Sequence, residues 1–316
     1  MKGNVIFKKH QNLIFSYLAA LLLFAAISVY KPGFASVNHI KVLAQESAII
    51  GIVAIGQTFV IITGGIDLSV AWMISIAAIM VTRLGGGGNE AMIWSVPLIL
   101  VMTVFFGLVN GACIAYLRMP PIVMTLGMNI ILQGGLVAVT QGAPGSYASD
   151  LLVVLGQKAF LGIPWLLWIW GLFTVLAMLL LFRMKYGREL FAIGNNSVVA
   201  NYSGINVNAV IMWSYGFSGL TAGLAGILLA GKVGSSYLGM GDALQFQSIA
   251  AVAIGGTSMM GGSGNYLGSV AGAFTITILL GILAALNLPY GVQKMAYGLI
   301  VLGSVLMAAR KIKNSR

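Results

Sequence analysis

Two histidines, one cysteine and six acids are all that this chain of 316 residues offers for covalent or metal chemistry. His10 and His39 are widely spaced and make no metal cluster, and Cys113, alone, permits no internal disulfide. A convergent His, Asp, Ser or metal cluster, as a membrane-embedded enzyme needs, is missing, and no glycine-rich loop runs into the lysine of a nucleotide-binding P-loop. One acid stands out by its position. The stretch "ITGGIDLSV", residues 62–70, sets Asp67 just after Gly64 and Gly65, with strongly apolar sequence on both sides. At membrane depth an aspartate costs about 2.5–3.5 kcal/mol or more, so it requires a polar cavity, a partner or the interface. Three readings fit: a cap, with Ser69, for the first turn of the following helix; a cap that also lines or gates a pathway; or direct ion or proton coupling. A proton pathway needs further buried acids in line with Asp67, and Glu46 lies near the opposite end of its segment. The aspartate therefore reads as architectural first.

The elements that must position it are set by composition. Hydrophobic residues make up 59% of the chain, charged residues 7%, and the mean hydropathy is +0.99. Soluble domains carry about 25% charge, so this is a polytopic membrane protein, all-α. The net charge of +11 sits mostly between apolar segments, where it meets anionic headgroups, and no basic and aromatic face points to nucleic acid. The start is too long in its apolar part for a signal peptide and reads as a retained first helix.

At 1.5 Å per residue a span needs about 20 residues, fewer where a helix is broken inside the protein. That rule gives ten spans: 13–30, 43–63, 68–83, 92–116, 120–140, 163–182, 206–230, 245–257, 266–287 and 291–309. The third and eighth are short and flanked by glycine, so a count of eight or nine with re-entrant segments is the alternative. With the N-terminus inside, Lys2, Lys8, Lys9, Arg118, Arg183, Lys185, Arg188, Arg310, Lys311, Lys313 and Arg316 fall on the inner side. The outer side receives Lys31, Lys41, Arg83, Lys158 and Lys232. This is the asymmetry of the positive-inside rule, with both termini cytoplasmic. Trp94, Trp165, Trp168 and Trp170 fit aromatic positions near the outer interface. An outer loop spans 139–164. The whole chain, 1–316, reads as one membrane domain.

Residues 183–206 form the longest inner stretch. Gly187 is expected to break the preceding helix, and two short helical turns then lie across the membrane face with Phe191 and Tyr202 near water, as a docking surface. A second glycine-rich break follows the eighth span, "AIGGTSMMGGSGNYLG", with Gly255, Gly256 and Thr257; "AIGQT" at 54–58 echoes "AIGGT" at 253–257, a weak hint of duplication. Gly264, Gly268 and Gly272, and again Gly219 and Gly223, recur every four positions, the spacing that lets membrane helices approach closely. Gln57, Thr58, Asn110, Asn129, Gln133, Ser214 and Thr257 are the polar candidates for a pathway, each equally readable as an interhelical hydrogen bond.

"TFVIITGGIDLSVAWMISIAAIMV", "YGRELFAIGNNSVVANYSGINVNAV" and "AVAIGGTSMMGGSGNYLGSVAGAF" resemble, in the same order, bacterial ABC-transporter inner-membrane permeases of the ribose, xylose and galactose type (the branched-chain amino acid and monosaccharide permease family), over about 47–306. Ala71 departs from the glycine usual after "GGIDLSV". The resemblance implies a type II-like importer permease without catalytic residues, cofactor or metal of its own. It implies a coupling region carrying Arg188, Glu189, Phe191, Ile193, Gly194, Asn195 and Gly204; apart from the resemblance, Gly64, Gly65, Asp67 and Ser69 of the first break and Gly255, Gly256 and Thr257 of the second are read as pathway or gating candidates. The implied partners are an ATP-binding subunit that holds ATP and Mg, a periplasmic sugar-binding protein and a second permease subunit, identical or paralogous. A pentose or hexose is the expected cargo; autoinducer-2, nucleosides, branched-chain amino acids or an ion-coupled secondary transporter are the alternatives.

Overall fold

The computed structural model describes residues 2–286 except 86–87 and 144–145, with side chains from residue 14; from 287 on it describes only 289, 291–292, 295–296, 298–299 and 302–303. The tenth expected span, 291–309, therefore lies outside the continuously described residues.

Among the described residues, twelve α-helices follow in order: α1 Lys2–Tyr30, α2 Val37–Ile62, α3 Val70–Gly85, α4 Met92–Tyr116, α5 Pro121–Thr140, α6 Asp150–Gln157, α7 Trp165–Phe182, α8 Lys185–Asn195, α9 Ser197–Tyr202, α10 Val207–Val233, α11 Asp242–Ile254 and α12 Tyr266–Ala285. A two-residue hairpin, Ala159–Phe160 with Ile163–Pro164, joins α6 to α7. Six of the helices among the described residues (α2, α4, α5, α7, α10 and α12) are long and apolar enough to cross a bilayer. The apolar part of α1, together with α3 and α11, is shorter. The protein is an all-α, multi-pass membrane protein.

Burial sorts these helices. α2 is enclosed along almost its whole length, whereas α4, α5 and α7 turn most of their surface outward. Such an enclosed apolar helix cannot be amphipathic, and its polar residues must find partners inside the protein. α10 lies across α2, α3 and α4, and α12 pairs with α11 and α2. Close crossing requires small residues. At Gly219 a methyl group would run into the Thr103 carbonyl, and at Gly223 into the Thr103 side chain; Gly107 and Gly111 on α4 meet the α10 backbone at Tyr215 and Met212 in return. Gly268 and Gly272 serve the α11–α12 crossing against Gly255 and Ala251, while Gly264 precedes α12 and packs on Thr257 and Ile62.

Two expectations are corrected. α7 ends at Phe182, five residues before Gly187, which sits inside the first turn of α8, where its missing side chain admits the Leu180 and Leu181 carbonyls. Trp170 is a core residue: its indole Nε1 donates to Tyr266 Oη at 2.8 Å, and that hydroxyl donates to the Gly51 carbonyl at 2.8 Å, tying α7, α12 and α2. Trp94 and Trp168 do face outward.

Candidate functional site

Residues 63–69 interrupt the chain between α2 and α3. Gly64 takes φ +86°, a left-handed turn cheap only for glycine, and a side chain at Gly65 would run into the Tyr215 hydroxyl. Below this turn, Gln57, Asp67, Ser69 and Asn110 are wholly buried. Gln57 Nε2 donates to the Asp67 carbonyl at 2.6 Å. Asp67 Oδ1 accepts from the Ser69 amide at 2.9 Å and from Ser69 Oγ at 2.5 Å, and Asn110 Nδ2 donates to Ser69 Oγ at 2.9 Å. The segment thereby connects α2, α3 and α4, and Tyr215 brings in α10 through the Ile66 carbonyl at 3.5 Å.

The capping expectation needs correction here. Ser69, immediately before Val70, occupies the cap position, and Asp67 lies two residues earlier, holding Ser69 rather than the amides of the first turn. The third amide of α3, on Trp72, instead meets Asn129 Oδ1 of α5 at 3.4 Å, a cap supplied by another helix. Asp67 shapes the entry into α3; it does not cap it.

The other polar candidates separate. Thr58 is buried and joins Ser269 of α12 at 2.9 Å, while Ser214 turns back onto the Ile211 carbonyl of its own helix. Gln133 lies on the outward face of α5, next to Gly134 and Gly135. Thr257 is buried, and its hydroxyl has no partner among the described residues.

The second break, 255–265, is built differently. Gly256, Gly261 and Gly262 all have positive φ, and the Ser258 amide donates to the Ser263 carbonyl at 2.9 Å, closing a turn. The Gly262 amide donates to the Ile62 carbonyl at 2.9 Å, so the turn sits on the end of α2 beside the first break. Asn195, on the last turn of α8, donates through Nδ2 to the Gly262 carbonyl at 3.0 Å and to the Phe191 carbonyl at 2.7 Å. Gly194 is wedged between the Ile62 carbonyl and the Gly262 amide. Both breaks and the end of α8 therefore meet at one junction.

The outer residues of this elbow divide between packing and exposure. Phe191 is partly buried against Phe182, with ring centroids 6.1 Å apart, and Ile193 is buried. Tyr202 is 87% exposed, next to exposed Val198 and Val199, and Arg188 is exposed as well. Glu189 pairs with Lys185 at 3.4 Å, and Gly204 makes the left-handed turn that ends α9. Tyr186 anchors α8 inward, its ring near Phe59 and Phe217; burial and, secondarily, Glu189 push its phenol well above the ordinary value, so it remains a neutral donor to the Val210 carbonyl at 3.3 Å. Ser218, Tyr215 and Gly262 escaped the sequence reading. The polar spacing "WSYGFSG" inside an otherwise apolar helix was the available signal for the first two.

No catalytic constellation accompanies this network, and among the described residues no three His, Cys, Asp or Glu side chains gather as a metal site. An apolar hollow of about 290 Å³ between α1, α2 and α12, lined by residues such as Tyr17, Phe24 and Phe274, has no polar wall to receive a sugar.

Comparison with known proteins decides the family. A family model described as "branched-chain amino acid transport system / permease component" matches residues 40–310. The chain belongs to that permease family. It is similar to the ribose import permease protein RbsC of Escherichia coli K12, 31% identical over 94% of this chain and 93% of that one. It is similar also to RbsC of Haemophilus influenzae, 33% identical over 92% and 91%. The autoinducer 2 import system permease protein LsrC of Photorhabdus luminescens is 29% identical over 94% and 89%. No solved structure matches the chain significantly. The permease is thus a membrane component of a transport system rather than an enzyme.

Proposed function

We propose that this permease is the transmembrane subunit of an ATP-driven importer in a bacterial inner membrane, moving a monosaccharide, a pentose or hexose, handed over by a periplasmic binding protein. One observation carries the reading: the α8–α9 elbow exposes Tyr202, Val198 and Val199 outward while Gly194 and Asn195, at its inner end, join both glycine breaks. An element that docks a partner on one side and holds the helix interruptions on the other is suited to passing movement from an ATP-binding subunit, which would hold ATP and Mg, into the membrane helices. Its residues are Arg188, Glu189, Phe191, Ile193, Gly194, Asn195 and Gly204. With both termini cytoplasmic, the elbow lies on the cytoplasmic side, in keeping with the distribution of Lys and Arg.

The relatives named as ribose import permeases support a sugar as cargo. A second permease subunit would complete the pathway, and the exposed Gln133 face of α5 is one surface able to line it. Autoinducer-2 is the second reading, supported by the likeness to LsrC. Ion-driven transport is disfavoured because, among the described residues, no line of buried acids leads away from Asp67.

The test is uptake of radiolabelled pentoses, hexoses and autoinducer-2 into proteoliposomes holding the permease, its ATP-binding subunit and its binding protein. ATP-dependent accumulation of one sugar is expected. Uptake driven only by a proton or sodium gradient would reject the reading.

A further inference from the structure

Hydrogen-bond direction around the first break leaves an excess of acceptors. The Asp67 carbonyl can only accept, so Gln57 must present Nε2 to it, and Gln57 Oε1 is fixed as a free, buried acceptor. Ser69 Oγ gives its proton to Asp67 Oδ1, so Asn110 must donate to Ser69 through Nδ2, which fixes Asn110 Oδ1 in the same way. Neither amide can be turned round without losing a bond. Gln57 Oε1, Asn110 Oδ1 and Asp67 Oδ2 are left fully buried and without a partner among the described residues. Ser218 Oγ, equally buried, stands beside the Asp67 carboxyl as its hydrogen-bonding neighbour, with a lone pair to spare.

These groups belong to one place. Ser218 lies where α10 crosses α2 at Gly56, next to Gln57, and Asn110 is set between Gly107 and Gly111, which bring α4 against α10. The two ion pairs among the described residues, Lys185–Glu189 and Lys232–Glu46, are elsewhere, so no basic side chain neutralises Asp67.

Three guests can be compared. A proton on Asp67 would remove the charge, yet it supplies a single donor where two amide oxygens, Gln57 Oε1 and Asn110 Oδ1, lack one. Water would bridge the oxygens but leave an uncompensated carboxylate in a dry interior, at a cost of several kcal/mol. A monovalent metal ion does both, because it takes hard oxygen ligands and balances one carboxylate; a divalent ion would bring twice the charge that the site offers. We propose that Asp67 Oδ2, Gln57 Oε1, Asn110 Oδ1 and Ser218 Oγ bind an alkali-metal cation, which pins α2, α4 and α10 to the entry of α3. The ion is a structural pin and does not drive transport. The inference stands independently of the cargo and of the ATP-driven reading.

The test reads stability rather than transport. Full-length permease in nanodiscs is melted in NaCl, in KCl and in choline chloride of equal ionic strength. A melting temperature about 2–5 °C higher in either alkali salt than in choline is expected, saturating with concentration as binding to the folded state requires. Asp67→Asn keeps an oxygen for Ser69 and supplies an N–H in place of the charge, so it should fold and lose the alkali effect. Ser218→Ala should keep the effect and move its midpoint to higher salt. Equal melting in all three salts, with or without a dependence on pH, would overturn the proposal in favour of water or a proton. An alkali effect of the same size in Asp67→Asn would overturn it by placing the ion elsewhere.

Discussion

The two glycine breaks use the same residue type for opposite purposes. At the first, 63–69, glycine clears space for a sealed polar network: Gly65 admits the Tyr215 hydroxyl, and Asp67, Ser69, Gln57 and Asn110 lie beneath without exposure. At the second, 255–265, three left-handed glycines build a turn whose polar contacts are mostly backbone, partly open, and held to α8 by Asn195. A buried network with fixed donors and acceptors resists rearrangement, because any shift orphans groups in a low-dielectric interior. A turn held by a few backbone bonds has no such penalty. The first break is therefore the fixed point of the bundle, and the second is the part able to move with the α8–α9 elbow.

Four substitutions break or sharpen this contrast. Gly194→Val is expected to have the largest effect, since its side chain would meet the Ile62 carbonyl and the Gly262 amide; uptake should fall about tenfold or more at normal membrane abundance, measured by transport with quantitative blotting. Gly65→Ala comes next, with a loss of about 1–3 kcal/mol in stability, and Tyr215→Phe in the same chain should restore part of it because the obstructing hydroxyl is gone; thermal melts of both forms test this. Tyr202→Ala should leave the melt unchanged while weakening association with the ATP-binding subunit about five-fold, read by titration in nanodiscs. Asn129→Ala, which removes the borrowed cap of α3, should cost about 1 kcal/mol and lower the melting temperature by about 2–4 °C without altering substrate preference.

What the sequence made legible follows from what local patterns encode. Apolar length and glycine punctuation place α2, α4, α5, α7, α10 and α12 within a few residues of the expected spans, because bilayer thickness acts on each segment separately. The prominence of Asp67 was legible for the same reason, as a charge in an apolar run. Its role was not. Whether Asp67 or Ser69 caps α3 depends on where the helix starts, and the cap on Trp72 comes from Asn129, 57 residues later. Trp170 reads as an interfacial aromatic until Tyr266 is seen beside it. The stacking of Phe191 on Phe182, from a different helix, is likewise invisible in the sequence. In each case the missing knowledge is which faces of distant helices meet, and periodicity in a nearly uniform apolar helix carries little of it.

The most direct measurement is the number of sugar molecules moved per ATP hydrolysed by the reconstituted importer, compared between the unaltered permease, Asn195→Ala and Asp67→Asn. Asn195→Ala should still assemble with its ATP-binding subunit and hydrolyse ATP while moving about two- to five-fold less sugar per ATP, the loss of one hydrogen bond between elbow and turn. Asp67→Asn should keep the ratio unchanged. An unaltered ratio in Asn195→Ala, or a drop confined to Asp67→Asn, would contradict the assignment of the second break as the moving part and the first as the fixed one.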